Sequence, residues 1–158
     1  MTRLSPLLLA LLPSLAQAQD IDHGRYLVTI MGCTDCHTPG HFLGQPDMAR
    51  FLGGSDVGFE IPGLGTFLGP NLTPDPSGLG GWSEAEIVTA IRTGVRPDGS
   101  QLAPAMPWMG YATLTDGDAA DIAAFLKSLP PVANDVPGPF GPGEATGGFV
   151  LKVVAPAP

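Results

Sequence analysis

Cys33-Thr34-Asp35-Cys36-His37 has the form C-x-x-C-H, the pattern in which two thiols bond a haem covalently and the adjacent histidine binds its iron. Residues three apart on a helical turn share a face, so both sulfurs can reach the two vinyl positions of one porphyrin while the next residue projects its imidazole toward the metal. A thioredoxin-type C-x-x-C pair belongs in a strand-helix-strand setting, and no such alternation surrounds this run. A zinc half-site needs about four ligands. With two cysteines and three histidines (His23, His37, His41) in the chain, a tetrahedral set would have to use nearly all of them. The motif therefore predicts one covalently attached haem c, with Cys33 and Cys36 as attachment points and His37 as an iron ligand.

The N-terminal flank reads as an export signal. Arg3 precedes an apolar stretch from Leu7 to Leu12, and Ala16-Gln17-Ala18 supplies a small-residue cleavage site. Cleavage near Ala18 predicts a signal peptide over 1–18 and a periplasmic protein. The apolar stretch is interrupted by Pro6 and Pro13 and falls short of the roughly 20 residues needed to span a bilayer. Phe149 to Val154 is shorter still and contains Lys152, so no transmembrane segment is expected in the mature chain. Seven basic residues stand against 15 acidic ones. That balance argues against nucleic acid, whose binding depends on Lys and Arg neutralising phosphates; it favours encounter with partners presenting basic surfaces.

Three helices are legible. The first runs from about Asp22 to Met31, with Tyr26, Leu27, Ile30 and Met31 at three- and four-residue intervals, and leads into the C-x-x-C-H run. The second is capped by Ser83, with Glu86 completing a capping box, carries Ile87, Ala90 and Ile91 on one face, and stops at Gly94. The third is capped by Thr115 or Asp116, shows Ala119, Ile122, Ala123, Leu126 and Leu129 as its apolar stripe, and ends before Pro130 and Pro131. Between the first two lies a Gly/Pro-rich stretch from Thr38 to Trp82. A loop of that length is uncommon in a compact domain unless something holds it, and a haem offers a surface on which Phe51, Phe59, Phe67 and Leu72 can be buried. The fold class expected is all-α, with three main helices and long haem-wrapping loops.

Candidates for the second axial ligand are Met31, Met48, Met106, Met109, His23 and His41. His23 and Met31 lie on the helix leading into the attachment turn, and His41 follows His37 by four residues, so these three are poorly placed for the opposite haem face. Met48 sits in the long loop and stays open as a candidate. Pro104-Ala105-Met106-Pro107-Trp108 reads as a stiff extended strap in which Pro104 and Pro107 fix their own φ and Pro107 biases Met106 away from helix. Met106 is the favoured ligand on that ground, with Met109 as its rival.

Taken together, several runs resemble class I c-type cytochromes, and in particular the haem domains of cytochrome subunits of periplasmic alcohol, aldehyde and sugar-acid dehydrogenases. They are the attachment motif, Gly69-Pro70-Asn71-Leu72-Thr73-Pro74-Asp75, Gly80-Gly81-Trp82-Ser83, Arg92-Thr93-Gly94-Val95-Arg96, Pro104-Ala105-Met106-Pro107-Trp108 and Ala124-Phe125-Leu126-Lys127-Ser128-Leu129-Pro130-Pro131. The likeness covers about residues 22 to 132. It implies the cytochrome c fold, with the first and last helices crossing near Gly24 and Phe125, Met106 as the distal ligand, and the Pro70 carbonyl accepting the Nδ1 hydrogen of His37. Trp82, Arg92 and Arg96 are candidates to meet haem propionates. Those dehydrogenase subunits carry several haem domains and an anchor, whereas one attachment motif occurs in this sequence. The domain expected is therefore a monohaem unit over 19–132, followed by a tail over 133–158. In that tail, Pro137 to Gly148 reads as a flexible or extended linker and Phe149 to Val154 as a strand-like arm.

An iron held by His37 and Met106 has no open position, so the function expected is one-electron transfer. A dehydrogenase would be the donor and a terminal oxidase or another cytochrome the acceptor, and no catalytic residues are expected. Two alternatives come from other classes: a haem enzyme or gas-binding protein with a displaceable distal ligand, and a haem subunit docked in a larger dehydrogenase complex.

Overall fold

The computed structural model describes residues 19–154; the expected export signal lies outside the described residues. Helix α1 (Ile21–Ile30) starts at Asp20, whose carboxylate accepts hydrogen bonds from the backbone of Asp22 and His23, each at 3.0 Å. A short helix α2 (Cys33–His37) follows after Gly32, which turns the chain with φ +71°. Helix α3 (Glu84–Thr93) carries the expected capping box. Glu86 N–H donates to Ser83 Oγ at 3.3 Å, Ser83 N–H donates to the Glu86 carboxylate at 2.7 Å, and Gly94 closes the helix at φ +75°. One turn, α4 (Trp108–Tyr111), precedes α5 (Asp116–Ser128), which Thr115 caps by accepting from Asp118 N–H at 3.1 Å.

Helices α1 and α5 cross at Gly24. A Cβ on that residue would lie 2.6 Å from the carbonyl carbon of Asp121 and 2.9 Å from Phe125 Cβ, so the two backbones touch where the side chain is missing. Phe125 is fully buried beneath the crossing, and Leu27, Val28, Leu79, Ile87, Ile122 and Leu126 complete the core around it. Polar contacts fasten the same layer from outside. Lys127 Nζ donates to the carbonyls of Leu79, Gly80 and Trp82 at 3.0, 3.3 and 2.8 Å, tying α5 to the turn that starts α3.

The all-α expectation leaves out a small sheet. Strands β1 (Val57–Ile61) and β2 (Gly65–Leu68) form an antiparallel hairpin, and β3 (Phe149–Lys152) lies parallel to β1 on its other side, giving the order β2-β1-β3. Glycine and proline hid the hairpin: Pro62-Gly63-Leu64 is its turn, with Gly63 at φ +78°, and Phe59 pairs across the strands with Phe67. These two aromatic residues therefore take part in a cross-strand contact. Phe51 and Leu72, by contrast, lie half-buried against the helical core. The tail joins this sheet at two places, Phe140 and β3, the latter within the expected strand-like arm. Phe140 exchanges backbone hydrogen bonds with Thr66 at 2.9 and 3.0 Å before the chain crosses to add β3. Parallel pairing requires a long connection, and residues 62–148, which include β2 and the helices α3 to α5, provide it.

Candidate haem site

Helix α2 places Cys33, Cys36 and His37 at the end of α1, against the edge of the core. Both cysteines are free and half-buried. Burial pushes the Cys33 thiol up to about 11, and it raises Cys36 as well. A dithiol redox centre works through a thiolate stabilised well below the ordinary value, the reverse of this environment. Among the described residues no group of three or more His, Cys, Asp and Glu side chains is arranged to hold a metal ion.

His37 is 4% exposed. Its Nδ1 lies 2.7 Å from the Pro70 carbonyl oxygen, and because a carbonyl only accepts, Nδ1 carries the hydrogen. Burial lowers the imidazole pKa, while the bond to Pro70 acts in the opposite direction. The ring is thus held neutral in one tautomer with the Nε2 lone pair left over, and no described residue hydrogen-bonds to Nε2. This is the form in which histidine binds a metal, with the other nitrogen fixed by a carbonyl.

The loop holding Pro70 is fixed by contacts absent from the sequence reading. Gly69 is the closest approach: a Cβ there would collide with the Cys36 carbonyl oxygen and sit 3.2 Å from His37 Nδ1. Gly54 N–H donates to the His37 carbonyl at 2.8 Å, Ser55 N–H to that of Gly69 at 2.8 Å, and Leu52 N–H to Thr38 Oγ1 at 3.1 Å. Leu52 is fully buried at φ +57°, a left-handed conformation that a branched side chain adopts only where its surroundings enforce it. Beyond Pro70, Asn71 is 1% exposed and fully engaged. Its amide donates to the Val132 carbonyl at 2.7 Å and to Ser77 Oγ at 3.1 Å, and its oxygen accepts from Thr73 N–H at 2.9 Å and Thr73 Oγ1 at 2.8 Å. An Asn two residues before a Thr is a turn signal; nothing in the sequence says that its donors reach the chain beyond α5.

The remaining candidates separate by environment. Met106 is half-buried, while Met48 and Met109 are 63% and 65% exposed. The strap around Met106 is a turn and not an extended segment. Met106 N–H donates to the Ala103 carbonyl at 2.9 Å, since the φ that proline imposes suits the second position of a β-turn as well as an extended chain. Met31 packs beside the core, and His41 Nε2 lies 3.2 Å from Asp35 on α2. His23 is committed to the α1–α5 crossing, with Nδ1 2.9 Å from Asp121. Of the propionate candidates, Trp82 packs on the core and Arg92 pairs with Asp116 of α5 at 2.6 Å. Arg96 enters the turn after α3, where its backbone N–H donates to the Ser100 carbonyl at 2.9 Å.

A buried neutral imidazole next to two half-buried thiols on one helical turn is a donor set that fits a covalently held haem. The family comparison agrees: the Cytochrome c family model matches residues 21–130. The chain belongs to the cytochrome c family, whose members bind a c-type haem covalently and carry electrons. It is 34% identical over 132 residues to a diheme cytochrome c-type protein of Cereibacter sphaeroides, covering 80% of this chain and 43% of that one. To the cytochrome c subunit of the quinone alcohol dehydrogenase of Gluconobacter oxydans it is 38% identical over 125 residues, covering 75% of this chain and 24% of the relative. The gluconate 2-dehydrogenase cytochrome c subunit of Pantoea cypripedii is 35% identical over 133 residues, with 78% and 28% covered. The chain thus spans less than half the length of each of these relatives. No helix among the described residues is long and apolar enough to cross a membrane.

Proposed function

We propose that this chain is a periplasmic one-electron carrier holding a single haem c. In this reading Cys33 and Cys36 would be the thioether donors, and His37 Nε2 and the Met106 sulfur would bind the iron. The haem, when bound, supplies a one-electron couple. The protein's part would be to supply both of these iron ligands, exclude water and leave no site for substrate. Pro70 fixes the tautomer and direction of His37 and increases its donor strength, while a thioether ligand from Met106 would favour the reduced state. Burial of the charged centre acts in the same direction, because the oxidised form carries more charge. Electrons would come from a dehydrogenase and leave to a terminal oxidase or another cytochrome. The acidic surface, with 15 acidic residues to seven basic, suits partners that present basic faces.

The observation carrying this reading is the His37–Pro70 hydrogen bond of 2.7 Å behind the thiol pair. The test uses protein matured with haem in a competent host. Mass and alkaline pyridine spectra should show one covalent haem. Met106→Ala should open the ferrous form to rapid carbon monoxide binding and lower the potential, with Met109→Ala doing neither. The reverse pattern reassigns the ligand, and a colourless mature protein overturns the proposal. A second reading, that the domain works as a haem subunit docked in a larger dehydrogenase complex, is favoured by the relatives named as dehydrogenase cytochrome subunits. Purification of the native protein with or without associated chains decides it.

A further inference from the structure

Residues 102–114 carry Met106 and span the distance from α3 to α5, and they are fastened at two points. On the α3 side, Leu102 N–H donates to the Gly94 carbonyl at 2.7 Å, and the Trp108 ring lies so close to Gly94 that a Cβ there would come within 2.7 Å of it. Both contacts hold the segment to the end of α3. Downstream, the half-buried Tyr111 donates its hydroxyl hydrogen to the Met31 carbonyl at 2.9 Å. Met31 caps the C-terminal end of α1, two positions before Cys33. Among the described residues, Tyr111 is the one side chain of 102–114 that hydrogen-bonds outside the segment; the hydroxyl of Thr113 returns to Gly110 within it at 2.9 Å.

We propose that Tyr111 is a positioning residue that latches the Met106 segment to the attachment turn and so sets how often the distal side of the site opens. The inference rests on the proposed assignment of Met106 as distal ligand. For the methionine to leave, the turn from Ala103 to Met106 must swing outward. Two short anchors resist it, one on the α3 end and one on the α1 end. The α1 anchor is the more direct, because it joins the segment bearing the distal group to the end of α1, two positions before the turn that carries Cys33, Cys36 and His37. A single hydrogen bond contributes about 1 kcal/mol, so its loss enlarges the open population about fivefold. A ligand that binds only the open form then binds tighter by the same factor.

The experiment compares free imidazole binding to the ferric, haem-loaded wild type, Tyr111→Phe and Thr113→Ala, with thermal stability and the sulfur-to-iron charge-transfer absorption recorded for each. The phenylalanine variant keeps the ring and removes only the hydroxyl. The expected result is a dissociation constant about fivefold lower in Tyr111→Phe, with the charge-transfer absorption still present before imidazole is added, and no change in Thr113→Ala. Unchanged imidazole affinity in Tyr111→Phe, or an equal gain in Thr113→Ala, overturns the latch while leaving the ligand assignment standing. Absence of the charge-transfer absorption from the wild type overturns the Met106 assignment, and the latch with it. A lowered melting temperature in Tyr111→Phe without a change in imidazole affinity would assign the hydroxyl to fold stability alone and likewise overturns the proposal.

Discussion

His37 Nδ1 and the Pro70 carbonyl oxygen are 2.7 Å apart, and they meet because the residue before Pro70 has no side chain. A Cβ on Gly69 would strike the Cys36 carbonyl oxygen and crowd His37 Nδ1 at 3.2 Å. Gly69→Ala must therefore push the Pro70 loop away from α2. Overpacking of this kind costs about 1–3 kcal/mol. On the proposed ligand set it also shifts the midpoint potential upward, since an imidazole deprived of its acceptor donates less electron density to the oxidised iron. Gly81→Ala is the control, because a Cβ there meets nothing within 4 Å. Equal potentials in wild type and Gly69→Ala would detach the Pro70 contact from the electronic properties of the site.

Gly24→Ala tests the helix crossing. The new methyl group would come 2.9 Å from Phe125 Cβ and closer still to the Asp121 backbone, and a helix backbone can yield only by moving as a unit. The expected loss is about 3 kcal/mol, read as a lower urea midpoint at unchanged slope. A loss below about 1 kcal/mol would mean that α1 and α5 separate easily, contrary to the close contact described.

His23 gives the crossing a pH dependence of defined sign. Its hydrogen bond to Asp121, together with the nearby carboxylates of Asp118 and Asp20, raises its pKa above the ordinary 6.5, and Asp121 is lowered below 3.8 chiefly by the same bond. The His23 contribution is thus fully present below about 6.5 and lost as pH rises through the folded value. The Asp121 contribution is present above 3.8 and lost as pH falls. The melting temperature of wild type should decline from pH 6 toward pH 8 more steeply than that of His23→Gln. Parallel profiles would show that the ion pair is too solvated to matter, the usual fate of exposed pairs.

What could be read from the sequence was local. Ser83 with Glu86, Thr115 or Asp116 at a helix start, Gly94 at a helix end and the spacing of Cys33, Cys36 and His37 each express their geometry within a few residues, and each element stands where that chemistry places it. The omissions all depend on distant partners. Gly69 matters because of Cys36, Asn71 because of Val132, Tyr111 because of Met31 and Phe140 because of Thr66, and no periodicity encodes such pairs. The hairpin of β1 and β2 is intermediate. Its alternation around Pro62-Gly63 is a legible turn signal, obscured by a glycine content that reads as irregular loop.

Asn71 joins the Pro70 loop to the chain beyond α5, so its removal should loosen both. Asn71→Ala leaves the buried Thr73 N–H and the Val132 carbonyl without their partner, and groups orphaned in this way cost about 1–3 kcal/mol each. The expected destabilisation is about 3 kcal/mol. The segment after Val132 loses one of its ties to the domain; others are Val132 N–H to Thr73 Oγ1 at 3.0 Å, Asn134 N–H to Ser77 Oγ at 3.1 Å, Asn134 Nδ2 to the Gly53 carbonyl at 2.7 Å and the pairing of Phe140 with Thr66. Limited proteolysis of haem-loaded Asn71→Ala should therefore cut between Val132 and Phe149 faster than in wild type, under conditions where the helical core stays intact. Asn71→Asp separates the two halves of the side chain. It keeps the oxygen that accepts from Thr73 but turns a second oxygen toward the Val132 carbonyl, so the tail should loosen while Thr73 stays satisfied. If both variants resist the protease as wild type does, the tail is held by its sheet pairing at Thr66 and β1 and owes nothing to Asn71.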